Sequence, residues 1–209
     1  MLQFDHMTIV APSLDEGIEH LRSSLDIDAL NGATHVDMGT HDRRVRLGER
    51  FYLEIIAIDP AAPPPKGPRW FGLDQAKAVR SNWSEGFRLR AWVARTYDID
   101  KVLTAHGQLL GTKRWLENAF YFSVLSDGGL PMGGALPCVI DDGDAPLTSR
   151  GLIDQHVRLR EFVIEHPQPA EILSLYDALR IVEPPRVTKG QRLRLSALLD
   201  TPGGLKVLS

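Results

Sequence analysis

Residues 2–59 and 87–140 carry the same order of periodicities, and this repetition restricts the fold of the 209-residue chain more than any other feature. Each stretch opens on an apolar strand pattern, passes through a helix-period run and returns to three further strand-like runs. In the first copy residues 2–11 read as a strand. Pro12-Ser13 then precedes Leu14, Ile18, Leu21 and Leu25, the spacing of an N-capped amphipathic helix. Residues 35–41, 43–47 and 51–59 follow as strands after Asn31-Gly32, with a turn at Gly48-Glu49. The second copy places strands at 87–94, 109–115, 119–125 and 136–140, and a helix at 98–106. A β-α-β-β-β unit leaves one concave sheet face uncovered, and pairing two such faces makes a cup or a closed barrel. The expected class is α+β: paired βαβββ modules forming a curved mixed sheet or barrel with a ligand pocket inside.

The expected organisation is a first module over 1–60, a proline-rich linker and short helix over 61–85, a second module over 86–145 and a C-terminal βαββ extension over 150–209. The segment PAAPPPKGP is too rich in proline to continue a sheet or helix and reads as an exposed linker, with a short helix at 70–81 beyond it. In the extension, strands at 156–165, 192–199 and 205–208 and a helix at 169–179 read as an incomplete or rearranged copy.

Composition removes several classes of function. A net charge of -3 with scattered basic residues gives no electrostatic footprint for nucleic acid. The single cysteine, Cys138, permits no intrachain disulfide, and no basic, apolar leader follows Met1. No apolar run approaches the roughly twenty residues that cross a bilayer. A cytoplasmic protein without nucleic-acid or membrane partners is the expectation.

Strand alternation isolates the chemical candidates. In LQFDHMTIVA, regular alternation puts Phe4, His6, Thr8 and Val10 on one face and Asp5, Met7, Ile9 and Ala11 on the other. In RFYLEIIAID, Tyr52, Glu54, Ile56 and Ile58 oppose Phe51, Leu53, Ile55 and Ala57. A bare carboxylate among apolar neighbours costs several kcal/mol unless paired, hydrogen-bonded or coordinated. Glu54 therefore reads as a metal ligand, a general base, or the partner of Arg44 or Arg46 across the hairpin. His6 reads as a metal ligand or as a buried histidine held by a protein partner. His35, Asp37 and His41 share parity and would face one side of a regular strand. Trp70 and Phe71 offer flat apolar surface to roof a pocket or to pin the linker. Cys138 has no histidine near it in sequence, which argues against a nucleophilic role. The paired glycines lack both the GxGxxG spacing and the lysine of a phosphate loop, and Asp141-Asp142-Gly143-Asp144 lacks the pattern of a calcium loop.

Three stretches, FDHMTIVAPSLDEGIEHL, GATHVDMGTHDRRVRLGERFYLEIIAIDP and RWFGLDQ, resemble the glyoxalase-like branch of the vicinal oxygen chelate superfamily. That superfamily includes glyoxalases, extradiol dioxygenases, epimerases and antibiotic-resistance proteins. The resemblance implies a divalent cation, of unspecified identity, held by ligands on the first and last strands of a module, positions that fall on His6 and Glu54. Gly39-Thr40-His41-Asp42 also resembles a stretch of this branch, giving His41 a catalytic reading beside that of a turn histidine. The matching positions of the second module depart from the pattern. GFRLRAWVA offers Arg90 or Trp92 there, which suits substrate contact rather than coordination, because arginine stays protonated. The other matching strand offers Ser123 or Asp141, of which Asp141 alone can bind a metal.

Two readings follow. One is a metal-dependent lyase, isomerase or dioxygenase acting on a small oxygenated molecule, with Glu54 and His41 catalytic and Arg90, Trp92, Trp70 and Phe71 binding substrate. The other is a metal-free protein that binds or sequesters a small molecule in the same cup. Homodimerisation, which the superfamily often uses to complete its barrels, is a third possibility of assembly.

Overall fold

Strand and helix follow one another as the periodicities dictate, and the first strands of the two repeats pair with each other to make one continuous sheet. The computed structural model describes residues 1–209. The first repeat contains β1 (Leu2–Val10), α1 (Leu14–Leu25), β2 (Thr34–His35), β3 (Thr40–Arg46) and β4 (Tyr52–Ile58). After α2 (Ala76–Ser84), the second contains β5 (Leu89–Arg95), α3 (Ile99–Leu110), β6 (Thr112–Leu116), β7 (Phe120–Val124) and β8 (Cys138–Asp141). The remainder comprises β9 (Arg158–His166), α4 (Pro169–Leu179), β10 (Ile181–Val182), β11 (Arg186–Lys189), β12 (Arg194–Thr201) and β13 (Gly204–Leu208).

The main sheet runs β2-β3-β4-β1-β5-β8-β7-β6, with β10 added to β1. β1 pairs parallel with β4 and antiparallel with β5, so the two modules join through their first strands. The sheet curls into a half-barrel of α+β class. Its outer strands, β2 and β6, do not form a ladder with each other. The turn after β2 and the turn after β6 meet instead: Asp37 N–H donates to Glu117 Oε1 at 3.0 Å, and Glu117 N–H donates to Asp37 Oδ2 at 2.6 Å. The proline-rich segment leads along this seam, where Arg114 donates to the Pro68 carbonyl at 2.8 Å.

Two apolar clusters lie on the two faces of the curled sheet. The outer face packs against α1, α3 and α4 in a core of 32 buried residues. Burial of a Leu- or Ile-sized side chain there stabilises by about 1.5–3 kcal/mol. Ser13 caps α1, its hydroxyl accepting from Glu16 N–H and donating to the Glu16 carboxylate, which fixes the helix start. Gly17 lets α1 settle on β4, because a Cβ there would lie 2.3 Å from Ile55 Cγ2. The inner face carries a smaller aromatic cluster of Trp70, Phe71, Phe122 and their neighbours.

Two sequence expectations change. The expected strand over 35–41 is broken by a turn at residues 36–39, where Met38 N–H bonds the His35 carbonyl and Gly39 adopts φ +59°. The helix expected at 70–81 begins later, at Ala76, because Phe71 and Gly72 take positive φ. The C-terminal strands, read as an incomplete or rearranged copy, form a separate sheet in the order β11-β9-β12-β13, and β9 and β12 add Phe162, Ile164, Leu195, Ala197 and Leu199 to the outer core. No helix is long and apolar enough to cross a membrane.

Candidate functional site

A bulge in β1 creates the site. The β1–β5 register passes from Phe4↔Ala94 to His6↔Val93, which leaves Asp5 as an extra residue. Phe4 turns to the outer side, against Phe51, Trp92 and Phe162, while His6 and Thr8 face inward. Asp5 can then reach the ring next to it: His6 Nδ1 lies 2.6 Å from Asp5 Oδ1. With Asp5 ionised, Nδ1–H donates and Nε2 is left facing Glu54 Oε2 at 3.7 Å. Tyr52 stacks on the His6 ring with centroids 4.3 Å apart and planes at 22°, which fixes its plane as Asp5 fixes its rotation.

Glu54 follows the expected alternation of β4. Thr8, its register partner on β1, donates its hydroxyl to Glu54 Oε2 at 3.2 Å. Neither arginine of the hairpin pairs with it. Arg44 instead binds Asp42 Oδ2 at 2.5 Å, and Arg46 donates to the Gly48 carbonyl. Asp42 also accepts from the Ala33 amide and lies 2.8 Å from His35 Nε2. Burial alone would raise the Asp42 pKa, but His35 and Arg44 outweigh it and hold the carboxyl below its ordinary value.

Asp5 anchors a buried ionic chain. Arg95 Nε donates to Asp5 Oδ2 at 3.1 Å, and Arg95 Nη2 donates to Asp142 Oδ2 at 2.9 Å. The chain ties β1, β5 and the end of β8 to the His6 ring. Burial works against a charged His6, but the Asp5 and Glu54 carboxylates more than compensate and raise its pKa to about 9.

These groups open onto a cavity of about 230 Å³ lined by His6, His35, Arg44, Tyr52, Glu54 and Asp142, with Trp70, Phe71, Phe120 and Phe122 as apolar wall. Two buried polar atoms of its lining residues, Trp70 Nε1 and Asp142 Oδ1, have no protein partner. The site is thus a polar floor of His and carboxylate under an aromatic roof.

A sequence profile of the family described as "Glyoxalase-like domain" matches residues 4–180. The chain belongs to the glyoxalase-like domain family. It falls within the vicinal oxygen chelate superfamily, in agreement with the resemblance of its first seventy-five residues. A search of curated protein sequences finds no match. Among solved structures, a hypothetical protein from Staphylococcus aureus superposes with TM-score 0.57 at 11% identity, covering 93% of this chain and 88% of that one. A methylmalonyl-CoA epimerase from Streptomyces coelicolor, in complex with 2-nitronate-propionyl-CoA, gives 0.44 at 14% identity over 69% of this chain and 100% of that one. The methylmalonyl-CoA epimerase of Mycobacterium tuberculosis gives 0.43 at 15% identity, covering 68% and 88%.

The residues of this glyoxalase-like chain suit a divalent cation on the floor of the cavity, around Glu54. Two atoms bound to one first-row cation at about 2.0–2.2 Å each can be separated by no more than about 4.4 Å. His6 Nε2 and Glu54 Oε2, 3.7 Å apart, meet that limit. His35, Asp42 and Glu54 also cluster, with one atom of each within 4.8 Å of the others. Asp42 is the weaker donor of these, because Arg44 already supplies its cation and its oxygens accept four contacts.

The other candidates separate by face. Trp70 and Phe71 line the cavity. His41 lies opposite Thr34, whereas His35 lies opposite Thr40, so the turn at 36–39 reverses the parity and places His41 on the face away from His35, Asp42 and Arg44. The register thus sets His41, read as catalytic from the sequence, apart from the residues that line the cavity. Trp92, read from the sequence as a substrate contact, is fully buried in the outer core against Tyr176 and Phe162 and does not line the cavity. Arg90 lies on the inner side but in a second chamber, which Phe71 also lines. Asp141 accepts from the Ile99 and Gly143 amides, leaving Asp142 as the acid that lines the site. The strand positions flanking the site in the second module, Val93 and Cys138, carry no carboxylate or imidazole. Burial and the Glu54 charge push the Cys138 thiol up to about 12, which keeps it protonated and poorly nucleophilic.

Proposed function

We propose that the cup is a metal-dependent active site for a small oxygenated molecule, of lyase, isomerase or dioxygenase type. The observation that carries this reading is the buried pair His6 Nε2 and Glu54 Oε2, 3.7 Å apart, with the far nitrogen of the imidazole fixed by Asp5. His6 and Glu54 would hold the cation. When bound, it would supply Lewis-acid stabilisation of negative charge on substrate oxygen. The nitrogen, oxygen ligand set suits Fe, Mn, Co, Ni or Zn.

The chain's own residues supply the remainder. Coordination at Nε2 would displace the proton that the two carboxylates favour on His6, and Asp5 would keep Nδ1–H in place. Trp70, Phe71, Phe120 and Phe122 exclude water above the floor and offer flat surface to the carbon frame of a substrate. Asp42 holds His35 Nε2 and so fixes the His35 ring over the floor of the cavity. Arg44 stays paired to Asp42 and lends positive potential to the floor.

Elemental analysis of freshly purified protein tests the proposal, with His6→Ala and Glu54→Gln prepared in parallel. Near-stoichiometric metal in the parent and its loss from both variants is the expected result. Equal metal content in all three would remove His6 and Glu54 as ligands.

A second reading, metal-free binding of a small molecule, is favoured by one observation: the second module supplies apolar Val93 and Cys138 at the strand positions beside the site. Under that reading the proton on His6, held between Asp5 and Glu54, balances their charge. Ligand affinity indifferent to chelator, in protein free of metal, would favour it.

A further inference from the structure

The second chamber, of about 260 Å³, opens on the same inner side of the sheet and contains a cation without a partner. Arg90 sits at another bulge of β5, where the register passes from Thr8↔Ala91 to Ile9↔Leu89 and leaves Arg90 unpaired. Its guanidinium forms no side-chain hydrogen bond, and no carboxylate lies within 4.0 Å of it. The two other arginines of the inner wall differ: Arg44 holds Asp42, and Arg95 holds Asp5 and Asp142. Burial pushes the Arg90 pKa down, and no neighbouring charge offsets that shift. A half-buried guanidinium without a counter-ion is destabilising, and a protein that keeps one gains from it elsewhere.

The surroundings specify what would complete it. Val10 and Phe71 give an apolar wall, and α2 lies along one side, contributing Val79 and the amide of Asn82. Asp127 stands at the exposed rim with one oxygen accepting from the Gly129 amide. A planar oxyanion matches the fork of a guanidinium, and an apolar body matches the wall.

We propose that this chamber binds a small organic anion, a carboxylate or a phosphate monoester on an apolar body, with Arg90 as the binding residue for its charge. The site stands apart from His6 and Glu54 and needs no metal, so it can be tested whatever the outcome at the metal ligands. Because Phe71 borders both chambers, an elongated substrate of the proposed reaction would place its anionic end here.

The test is a calorimetric titration in the presence of EDTA with 3-phenylpropionate, phenyl phosphate and the neutral 3-phenylpropanol. The expected result is binding of at least one anion, about tenfold tighter than the alcohol, as a charge-assisted bidentate contact requires. Preference between the two anions distinguishes carboxylate from phosphate. Arg90→Gln should lose about tenfold in anion affinity, and Arg90→Lys should retain part of it. The exposed control Arg160→Gln should leave binding unchanged. The melting temperature separates a binding residue from a structural one: Arg90→Gln should melt at or above the parent temperature, because it removes a half-buried cation that has no counter-ion. Equal affinity for alcohol and anions, no anion binding at millimolar concentration, unchanged anion binding by Arg90→Gln, or a melting temperature lowered by that substitution would each overturn the proposal.

Discussion

His6 Nδ1 and the Asp5 carboxylate are neighbours in sequence and lie 2.6 Å apart, a contact that a regular strand forbids because adjacent side chains point to opposite faces. The bulge at Asp5 makes it possible, and Arg95 holds the carboxylate from the other side. Asp5→Asn keeps the shape and removes the charge that fixes the ring. Metal affinity, measured by competition with a chelating dye, should fall about 10–100-fold. Unaltered affinity would show that the Asp5 charge does not set the ring's donor strength.

Trp92 belongs to the packing of the outer core, where its ring meets Phe4, Phe162 and Tyr176. Trp92→Leu should cost about 2–4 kcal/mol of unfolding free energy in urea, by loss of contact and residual cavity. Metal content and anion binding should match the parent in the folded variant. A variant of full stability that binds less ligand would return Trp92 to the site.

His20 gives the stability a dependence on acid. Burial, reinforced by the nearby positive charge of Arg88, lowers its pKa from 6.5 to about 4. The folded chain therefore keeps His20 neutral while the unfolded chain takes up a proton below about 6.5. Its contribution is complete above pH 6.5, declines as pH falls toward 4 and changes no further below that. His20→Gln should flatten this part of a denaturation-against-pH curve, and an unchanged slope would exclude His20 as its source.

The fold was legible because its evidence is periodic. Ser13, Leu14, Leu21 and Leu25 announce α1, and the alternation around Glu54 survives intact in β4. The same reasoning failed where the backbone departs from regularity. Alternation assigns Asp5 to the outer face, but the bulge brings it to His6. It joins His35 to His41, but the turn at 36–39 reverses their relation. Asp142 is indistinguishable by sequence from Asp141 beside it, and only the end of β8 decides which of them lines the cavity. Trp92 and Arg90 are two residues apart and read as one surface, yet a bulge separates chamber from core. The site residues are thus legible as types, while the bulges that aim them are set by long-range pairing.

The clasp between Asp37 and Glu117 divides the design of the wall from the design of its mouth. Strand ladders fix the curvature everywhere else, and altering them would slip every side chain inside. Across the seam, two carboxylates and two amides at turns join the edges, each hydrogen bond contributing only about 1 kcal/mol against water, beside the Arg114 contact to the Pro68 carbonyl. The seam is thus joined by turn residues and the proline-rich segment, outside the ladders that aim the imidazole, carboxylates and aromatic rings within.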